Sequence, residues 1–253
     1  MKFVALMFAF VLGYLAQNGK HAVINEIRAG FEKYARWFEQ RFTSIELSSG
    51  WGGLVMFALV PSVILGILIH IISGGFTLLL LILHALVLLV CLVPVEPEIR
   101  FNHESTDDKD DKRAEDIQSD FDIEQIVSII FWYFVLGPLG ALTVKLLFVG
   151  RQRTQIQQEL GRLMFIINWL PGRLLILSYA LVGNFHGVVS AVGNDIFKLD
   201  VNIQSLEQAA EKSALWPHFD ELETDEAITQ TAALYRRAII CWLAIIALIS
   251  ITL

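Results

Sequence analysis

Apolar residues occur in long blocks along this chain, and these blocks define its predicted helices. Because the hydrocarbon core of a bilayer is about 30 Å thick, a spanning helix needs about 20 apolar residues. Four blocks approach or reach that length without a charged residue, and we expect each of them to cross a membrane: residues 3–16, 54–73, 76–95 and 238–253. Gly74 and Gly75 separate the two middle blocks, which are therefore predicted to form a helical hairpin.

Two further apolar blocks, residues 126–149 and 163–182, are interrupted by Gly/Pro pairs, and each carries an internal cation, Lys145 or Arg173. Breaks of this kind expose backbone groups that only a partner helix or a polar cavity can satisfy. We interpret both blocks as broken or surface-lying helices packed on the cytoplasmic side. The predicted fold class is therefore an all-α integral membrane protein with about four spans. A six-span arrangement is the alternative.

Positive charge on the flanks of the hairpin sets its predicted orientation. Residues 17–50 and 96–125 lie on the same side of the hairpin and contain five and four Lys or Arg residues. Cytoplasmic loops carry an excess of these residues, so we expect both segments to be cytoplasmic. The first apolar block could also be a signal peptide, but cleavage after Ala16 would place Tyr14 where a small residue is required. We therefore expect an uncleaved anchor.

Residues 21–45 have the pattern of a cytoplasmic amphipathic helix. Apolar side chains recur at steps of three and four, while charged residues fall mainly on the other faces. The apolar positions are Ile24, Ile27, Phe31, Tyr34, Phe38 and Phe42. Aromatic residues with basic neighbours are typical of a helix in the membrane interface. Packing against other cytoplasmic helices is a second interpretation, compatible with the first.

Two polar segments complete a single helical membrane domain over residues 1–253. Residues 103–122 are rich in charge of both signs, with acidic residues in excess, and are predicted to form a disordered acidic linker because they cannot bury a core. Residues 184–237 are predicted to be a cytoplasmic helical segment. A capping box at residues 205–208 would begin one helix, residues 216–218 would end it, and a second would start near Thr224 and run into the last span.

Composition excludes several classes of function. The net charge is −7, which gives no support for a nucleic-acid partner. Cys91 and Cys241, the only cysteines, have neither disulfide nor metal-ligand spacing. No common signature of nucleotide binding or hydrolysis occurs. We therefore predict no catalytic residue, no metal and no cofactor, and we interpret His70 and His84, which differ in predicted depth, as two separate hydrogen-bonded histidines.

The internal cations give the candidate site. A charge inside a membrane is costly unless it is paired or reaches water, so Lys145 and Arg173 require partners. Glu124 and Asn168 are the nearest candidates along the sequence. We predict a ligand-binding site formed by these four residues, in which Arg173 is held by Glu124, by Asn168 or by a small anionic ligand.

The same stretches carry a family resemblance. Phe131-Trp132-Tyr133 followed by residues 137–142, Gly-Pro-Leu-Gly-Ala-Leu, resembles a segment of the AmpE family, which is similar to the CobD/CbiB membrane enzymes. Residues 168–174, Asn-Trp-Leu-Pro-Gly-Arg-Leu, and residues 179–183, Tyr-Ala-Leu-Val-Gly, resemble two further segments. The match covers about sixty residues, from Glu124 to Phe185.

The resemblance implies a multi-pass regulatory protein of the bacterial inner membrane that modulates β-lactamase induction and the response to β-lactam antibiotics. Its partners would be the lipid bilayer and a membrane or cytoplasmic protein. The chain departs from the CobD/CbiB pattern before the aromatic stretch, where only Glu124 matches an acidic and amide-rich run. This departure favours a non-enzymatic protein. A CobD/CbiB-like amide-forming enzyme of cobalamin biosynthesis and a transport or assembly component are the alternatives.

Overall fold

A computed structural model describes residues 2–17, 21–42, 50–74, 76–93, 123–151, 157–198, 203–215 and 224–252. These residues form α-helices, one π-helical turn and short connections, with no strand among them, so the predicted all-α class is confirmed. The predicted linker at 103–122 lies outside the described residues. The chain divides into two compact units, residues 1–164 and 165–253.

The first unit contains seven described helices and the beginning of an eighth. They are α1 (Lys2–Gln17), α2 (His21–Phe42), α3 (Gly50–Leu54), α4 (Val60–Ser73), α5 (Thr77–Cys91), α6 (Ile123–Leu136), α7 (Pro138–Gly150) and the start of α8 (Gln157–Val182). A π-helical turn at Val55–Leu59 joins α3 to α4 without a break. At the end of α4, Gly74 has a φ of 51°, and its N–H group donates to the Ile71 carbonyl oxygen. The predicted helical hairpin therefore turns at a glycine in the left-handed conformation.

The start of α1 is fastened to the end of α6. Pro138 has no N–H group, so the carbonyl of Phe134, four residues earlier, cannot receive the usual helical hydrogen bond. The Lys2 ammonium group donates to that carbonyl oxygen at 2.8 Å. Ala5, Leu6 and Ala9 are buried one and two turns further along α1. The first apolar block is therefore an integral part of this unit's packing.

The aromatic face of α2 packs within the first unit. The Tyr34 hydroxyl donates to the Phe57 carbonyl oxygen in the π-helical turn at 2.8 Å, and the rings of Phe38 and Phe57 meet edge to face at 5.2 Å. Burial raises the pKa of Tyr34 to about 12, so this hydroxyl remains a donor at physiological pH. The helix predicted at 21–45 is confirmed over His21–Phe42, with its aromatic face against other helices.

The second unit contains the rest of α8 together with α9 (Phe185–Val192), α10 (Ile203–Leu215) and α11 (Thr224–Thr252). The rings of Tyr179 in α8 and Tyr235 in α11 stack with centroids 6.1 Å apart. The Tyr235 hydroxyl donates to a Glu211 carboxylate oxygen of α10 at 2.8 Å. These two contacts join three helices at one point. The predicted helix start near Thr224 and the helix end before Trp216 agree with the observed bounds.

Two predictions about helix boundaries are wrong. Pro171 was expected to break the block 163–182 or to begin a helix, yet it lies inside the continuous helix α8. An internal proline costs a helix about 3 kcal/mol. Gly172, the next residue, packs directly against α10. The capping box was expected to begin α10 at Ser205, but this helix already includes Ile203, so Ser205 lies inside its first turn.

Among the residues that the structure describes, two helices are long and apolar enough to cross a membrane, Trp51–Ser73 and Leu160–Val182. The first exposes most of its apolar surface, including Ile64, Ile67 and Ile71. The second belongs to the block that the sequence had assigned to a surface-lying or broken helix. The second arm of the predicted hairpin, α5, is shorter, with 15 residues. Membrane association is therefore supported, and the four-span arrangement stays a prediction.

Candidate functional site

Lys145 lies in the middle of α7 and is almost fully buried, with an exposed fraction of 1%. Its ammonium group donates to the carbonyl oxygen of Val93, which lies just beyond the end of α5. The amide nitrogen of Gln125, in the first turn of α6, donates to the same oxygen at 3.4 Å. The ring of Phe31 in α2 lies beneath the ammonium group, 5.3 Å from the ring centroid. Lys145 thus joins the end of α5 to α7, and Gln125 joins the same point to the start of α6.

We call Val93, Gln125 and Lys145 the neck, because they hold together the two chain positions that flank the segment 94–122. A cation at a helix C-terminus is favourable, since the last carbonyls of a helix carry partial negative charge. The contacts of the neck therefore help to explain how a buried lysine is tolerated. The predicted partner, Glu124, lies beside Gln125 and forms an ion pair with Arg151 at 3.9 Å.

Two glycines, Gly137 and Gly140, explain the break between α6 and α7. Gly137 has a φ of 72°, which disfavours any residue with a Cβ atom. A Cβ atom added at Gly140 would lie 2.3 Å from the Trp132 carbonyl oxygen. The Gly-Pro-Leu-Gly segment thus lets the start of α7 approach the backbone of α6 closely. The predicted interruption of the block 126–149 is confirmed at Gly137.

Arg173 lies in the second unit, in α8, with an exposed fraction of 3%. Its Nε atom donates to the carbonyl oxygen of Ile196, and one terminal nitrogen donates to that of Lys198 at 2.6 Å. The other terminal nitrogen donates to the Trp169 carbonyl oxygen at 3.1 Å. The guanidinium group also lies over the Trp169 ring, 4.2 Å from its centroid. Arg173 therefore fastens α8 to the chain that follows α9.

A carboxylate, an amide side chain or an anion is the predicted partner of Arg173, and this stays a prediction. The hydrogen-bond acceptors observed around the guanidinium group are backbone carbonyls of the second unit. Asn168, the other predicted partner, is buried but lies five positions before Arg173, which corresponds to about 140° around the helix. The carboxylate that acts electrostatically on Arg173 is Glu207 of α10.

Glu207 and Gly172 belong to this centre, and the sequence analysis missed both. A Cβ atom added at Gly172 would lie 2.5 Å from a Glu207 carboxylate oxygen and 2.6 Å from the side chain of Ile203. The missing side chain therefore lets α10 approach α8 at the level of Arg173. The capping-box pattern in α10 indicated Ser205 and Gln208 instead of these two residues. The sequence feature that indicates this centre is a glycine directly before an arginine in an apolar block.

The four predicted site residues fall into two pairs. Glu124 and Lys145 belong to the first unit, and Asn168 and Arg173 belong to the second. All four side chains are buried. The two histidines are separate, as predicted: the Nδ1 atom of His84 lies 3.2 Å from the Tyr133 hydroxyl, while His70 is exposed.

The described part of the chain contains no group of three or more His, Cys, Asp or Glu side chains that could hold a metal ion. No family model matches the chain, and no curated protein and no solved structure shows significant similarity to it. The geometry of the two buried cations is therefore the main evidence about function.

The two donors of the neck should be partly redundant. Lys145→Met leaves the Val93 carbonyl with Gln125, and Gln125→Leu leaves it with Lys145. The double variant leaves a buried carbonyl without either donor, which costs about 1–3 kcal/mol. We expect the double variant to lose more free energy of unfolding than the sum of the two single losses. Denaturant unfolding of the four proteins in detergent measures this coupling, and strictly additive losses would show that the two donors act independently.

Proposed function

We propose that this chain is a multi-pass regulatory protein of the bacterial inner membrane, of the AmpE type, that modulates β-lactamase induction. It acts by binding a partner and transmitting a conformational change through its helices. The observation that carries the proposal is the neck, because one buried ammonium group holds the junction of three helices. A membrane protein that transmits a binding event needs such a junction between its binding segment and its helices.

The position of the neck suggests how a signal would enter. Val93 and Gln125 flank the segment 94–122, which contains the dense run of charged residues at 107–116. A partner that binds this segment exerts force on its two ends. These ends are linked at the Val93 carbonyl oxygen, which accepts hydrogen bonds from Gln125 and from Lys145. Displacing that carbonyl would act on Lys145 and hence on α7. This route requires no substrate, and it assigns recognition to the charged segment.

The resemblance to the AmpE family supports the proposal through residues whose roles the structure explains. Gly137, Pro138 and Gly140 form the close junction of α6 and α7. Gly172 and Arg173 form a second junction between α8 and its neighbours. The residues that carry the resemblance thus fasten helices to one another, and a regulatory role uses these junctions directly.

The proposed membrane arrangement has four spans, with the segments on either side of the hairpin in the cytoplasm. Exposed apolar residues of α4 and α5 support it, since Ile71, Ile72, Phe76 and Leu78 are each more than half exposed. Lipid acyl chains are the natural partners for such a surface. The flanking Lys and Arg residues set the orientation.

The proposal is tested by complementation in a Gram-negative strain that lacks the gene. We expect the wild-type chain to restore the normal ratio of induced to basal β-lactamase activity, measured by hydrolysis of a chromogenic cephalosporin. The Lys145→Met/Gln125→Leu variant should be inserted in the membrane but fail to restore the ratio. Arg237→Gln, a change at an exposed position of α11, is the matched control and should behave as wild type.

Two results would contradict the regulatory proposal. The first is an unchanged activity ratio in the strain that lacks the gene. The second is turnover of cobyric acid and an amino alcohol by the purified chain, because this result would favour the amide-forming enzyme instead. Immunoblotting of membrane fractions confirms that each variant is present at the same level.

A further inference from the structure

The outer face of α2 carries a basic and aromatic surface that the packing of the first unit leaves exposed. The aromatic face of this helix is turned inward, against Phe57 and Lys145. On the opposite face, Lys33, Arg36 and Arg41 are exposed, and Trp37 between them is 55% exposed. We define these four residues as the outer α2 surface.

Helical geometry places the four residues on one side of α2. Successive residues turn by 100°, so the arc from Arg36 through Lys33 and Trp37 to Arg41 covers about 140°. The acidic residues of these turns, Glu32 and Glu39, lie outside this arc, and Glu32 contacts Arg36 at 4.0 Å. Within the last turns of α2 the outer surface is therefore positively charged. Glu26, two turns earlier, is the acidic residue on the same side.

The contact between α2 and the π-helical turn shows where this surface lies along the candidate span Trp51–Ser73. The Tyr34 hydroxyl donates to the carbonyl of Phe57, six residues after the start of the candidate span Trp51–Ser73. Six helical residues correspond to about 9 Å. The α2 helix is therefore held at the N-terminal end of this candidate span, where a bilayer has its headgroups. Trp51, at the same end, is 52% exposed.

We propose that the outer α2 surface docks on the headgroups of anionic phospholipids. Three cations attract a negative lipid surface, and an exposed tryptophan prefers the boundary between headgroups and acyl chains. An acidic protein would also be attracted by the cations, but the level of α2 at the end of an apolar candidate span favours lipid. This inference rests on the part of the proposed function that inserts the chain in a membrane. It is independent of the role in β-lactamase induction.

The test uses the full chain in vesicles and a fluorescent probe on this surface. Gln40 is exposed between Arg36 and Arg41, so Gln40→Cys in a Cys241→Ala background provides a site for an environment-sensitive dye, while Cys91 stays buried. Lipids with a nitroxide on the headgroup quench the dye on contact. Phosphatidylcholine vesicles are compared with vesicles that also contain phosphatidylglycerol.

We expect stronger quenching with phosphatidylglycerol, and a loss of this difference at high salt, because the Debye length falls from about 10 Å at 0.1 M to about 3 Å at 1 M. Lys33→Gln/Arg36→Gln/Arg41→Gln should abolish the difference, since each cation changes the ratio of docked to undocked helix by about fivefold. The control, Lys212→Gln/Arg236→Gln/Arg237→Gln, removes the same charge from exposed positions elsewhere and should retain the difference.

Equal quenching in both kinds of vesicle, or equal lipid dependence in the wild type and the α2 triple variant, would overturn the docking proposal. Flotation of the vesicles separates this failure from a failure of membrane insertion. A chain that floats with the vesicles but shows no lipid dependence contradicts the docking proposal alone. A chain that does not float contradicts both the docking and the membrane arrangement.

Discussion

Arg173→Leu should lower the free energy of unfolding of the chain by about 3–6 kcal/mol. The substitution removes the side-chain donor from three carbonyl oxygens, those of Trp169, Ile196 and Lys198, around a buried side chain. A buried polar group that loses its partner costs about 1–3 kcal/mol, and removal of the buried charge offsets part of the sum. Denaturant unfolding in detergent, followed by tryptophan fluorescence, measures the loss.

Arg173→Lys and Arg237→Leu are the informative comparisons for this prediction. Lysine keeps the charge, but it lacks the planar guanidinium group whose nitrogens donate to the Ile196 and Lys198 carbonyls together. We therefore expect about half of the loss in unfolding free energy that leucine causes. Arg237 is exposed in α11, and its replacement by leucine should change stability by less than about 0.5 kcal/mol. A wild-type unfolding midpoint for Arg173→Leu would show that these hydrogen bonds contribute nothing to stability.

Gly140→Ala should destabilise the chain by about 3 kcal/mol. The added Cβ atom would lie 2.3 Å from the Trp132 carbonyl oxygen and 2.8 Å from the Leu136 Cβ atom, so two helix backbones must separate. Overpacking of this kind typically costs about 1–3 kcal/mol, and a backbone neighbour gives the upper end of this range because it cannot rotate away. The same unfolding experiment measures the change.

Gly161→Ala provides the matched control for Gly140→Ala. Gly161 lies in α8 with nothing within 4 Å of its added Cβ atom. Replacing a helical glycine in open space by alanine stabilises a helix by about 0.5–1 kcal/mol, so the two variants should move in opposite directions. Equal stability of Gly140→Ala and the wild type would mean that α6 and α7 are not held at this separation.

The sequence predicted helix boundaries correctly where a boundary depends on the backbone preference of the residue that occupies it. The turn at Gly74, the break at Gly137 and the start of α11 at Thr224 each depend on the conformational preference of the residues at the site. Pro171 shows the limit of this reasoning. Its local preference is overridden, because α8 continues through it, and the neighbouring Gly172 contacts α10, a segment far away in the sequence.

Residue types indicated the two cations of the candidate site, but not the backbone carbonyls that these cations contact. Lys145 and Arg173 were identified because a cation within an apolar block must be satisfied. Both cations donate to backbone carbonyls, and every residue carries one, so residue types give no indication of which carbonyl is used. Glu124 forms an ion pair with Arg151, and its role as a partner of Lys145 or Arg173 stays a prediction.

The neck also determines where this chain can change in length. Val93 and Gln125 are joined by a direct hydrogen bond, and Lys145 donates to the same Val93 oxygen. The distance that the intervening residues must bridge is therefore fixed by the helices and not by those residues. Because doubling the length of a flexible loop adds only about 0.6 kcal/mol of closure entropy, a reporter domain inserted between residues 103 and 122 should leave the helices intact. The length of this insert can therefore change without changing the separation of the two helix ends.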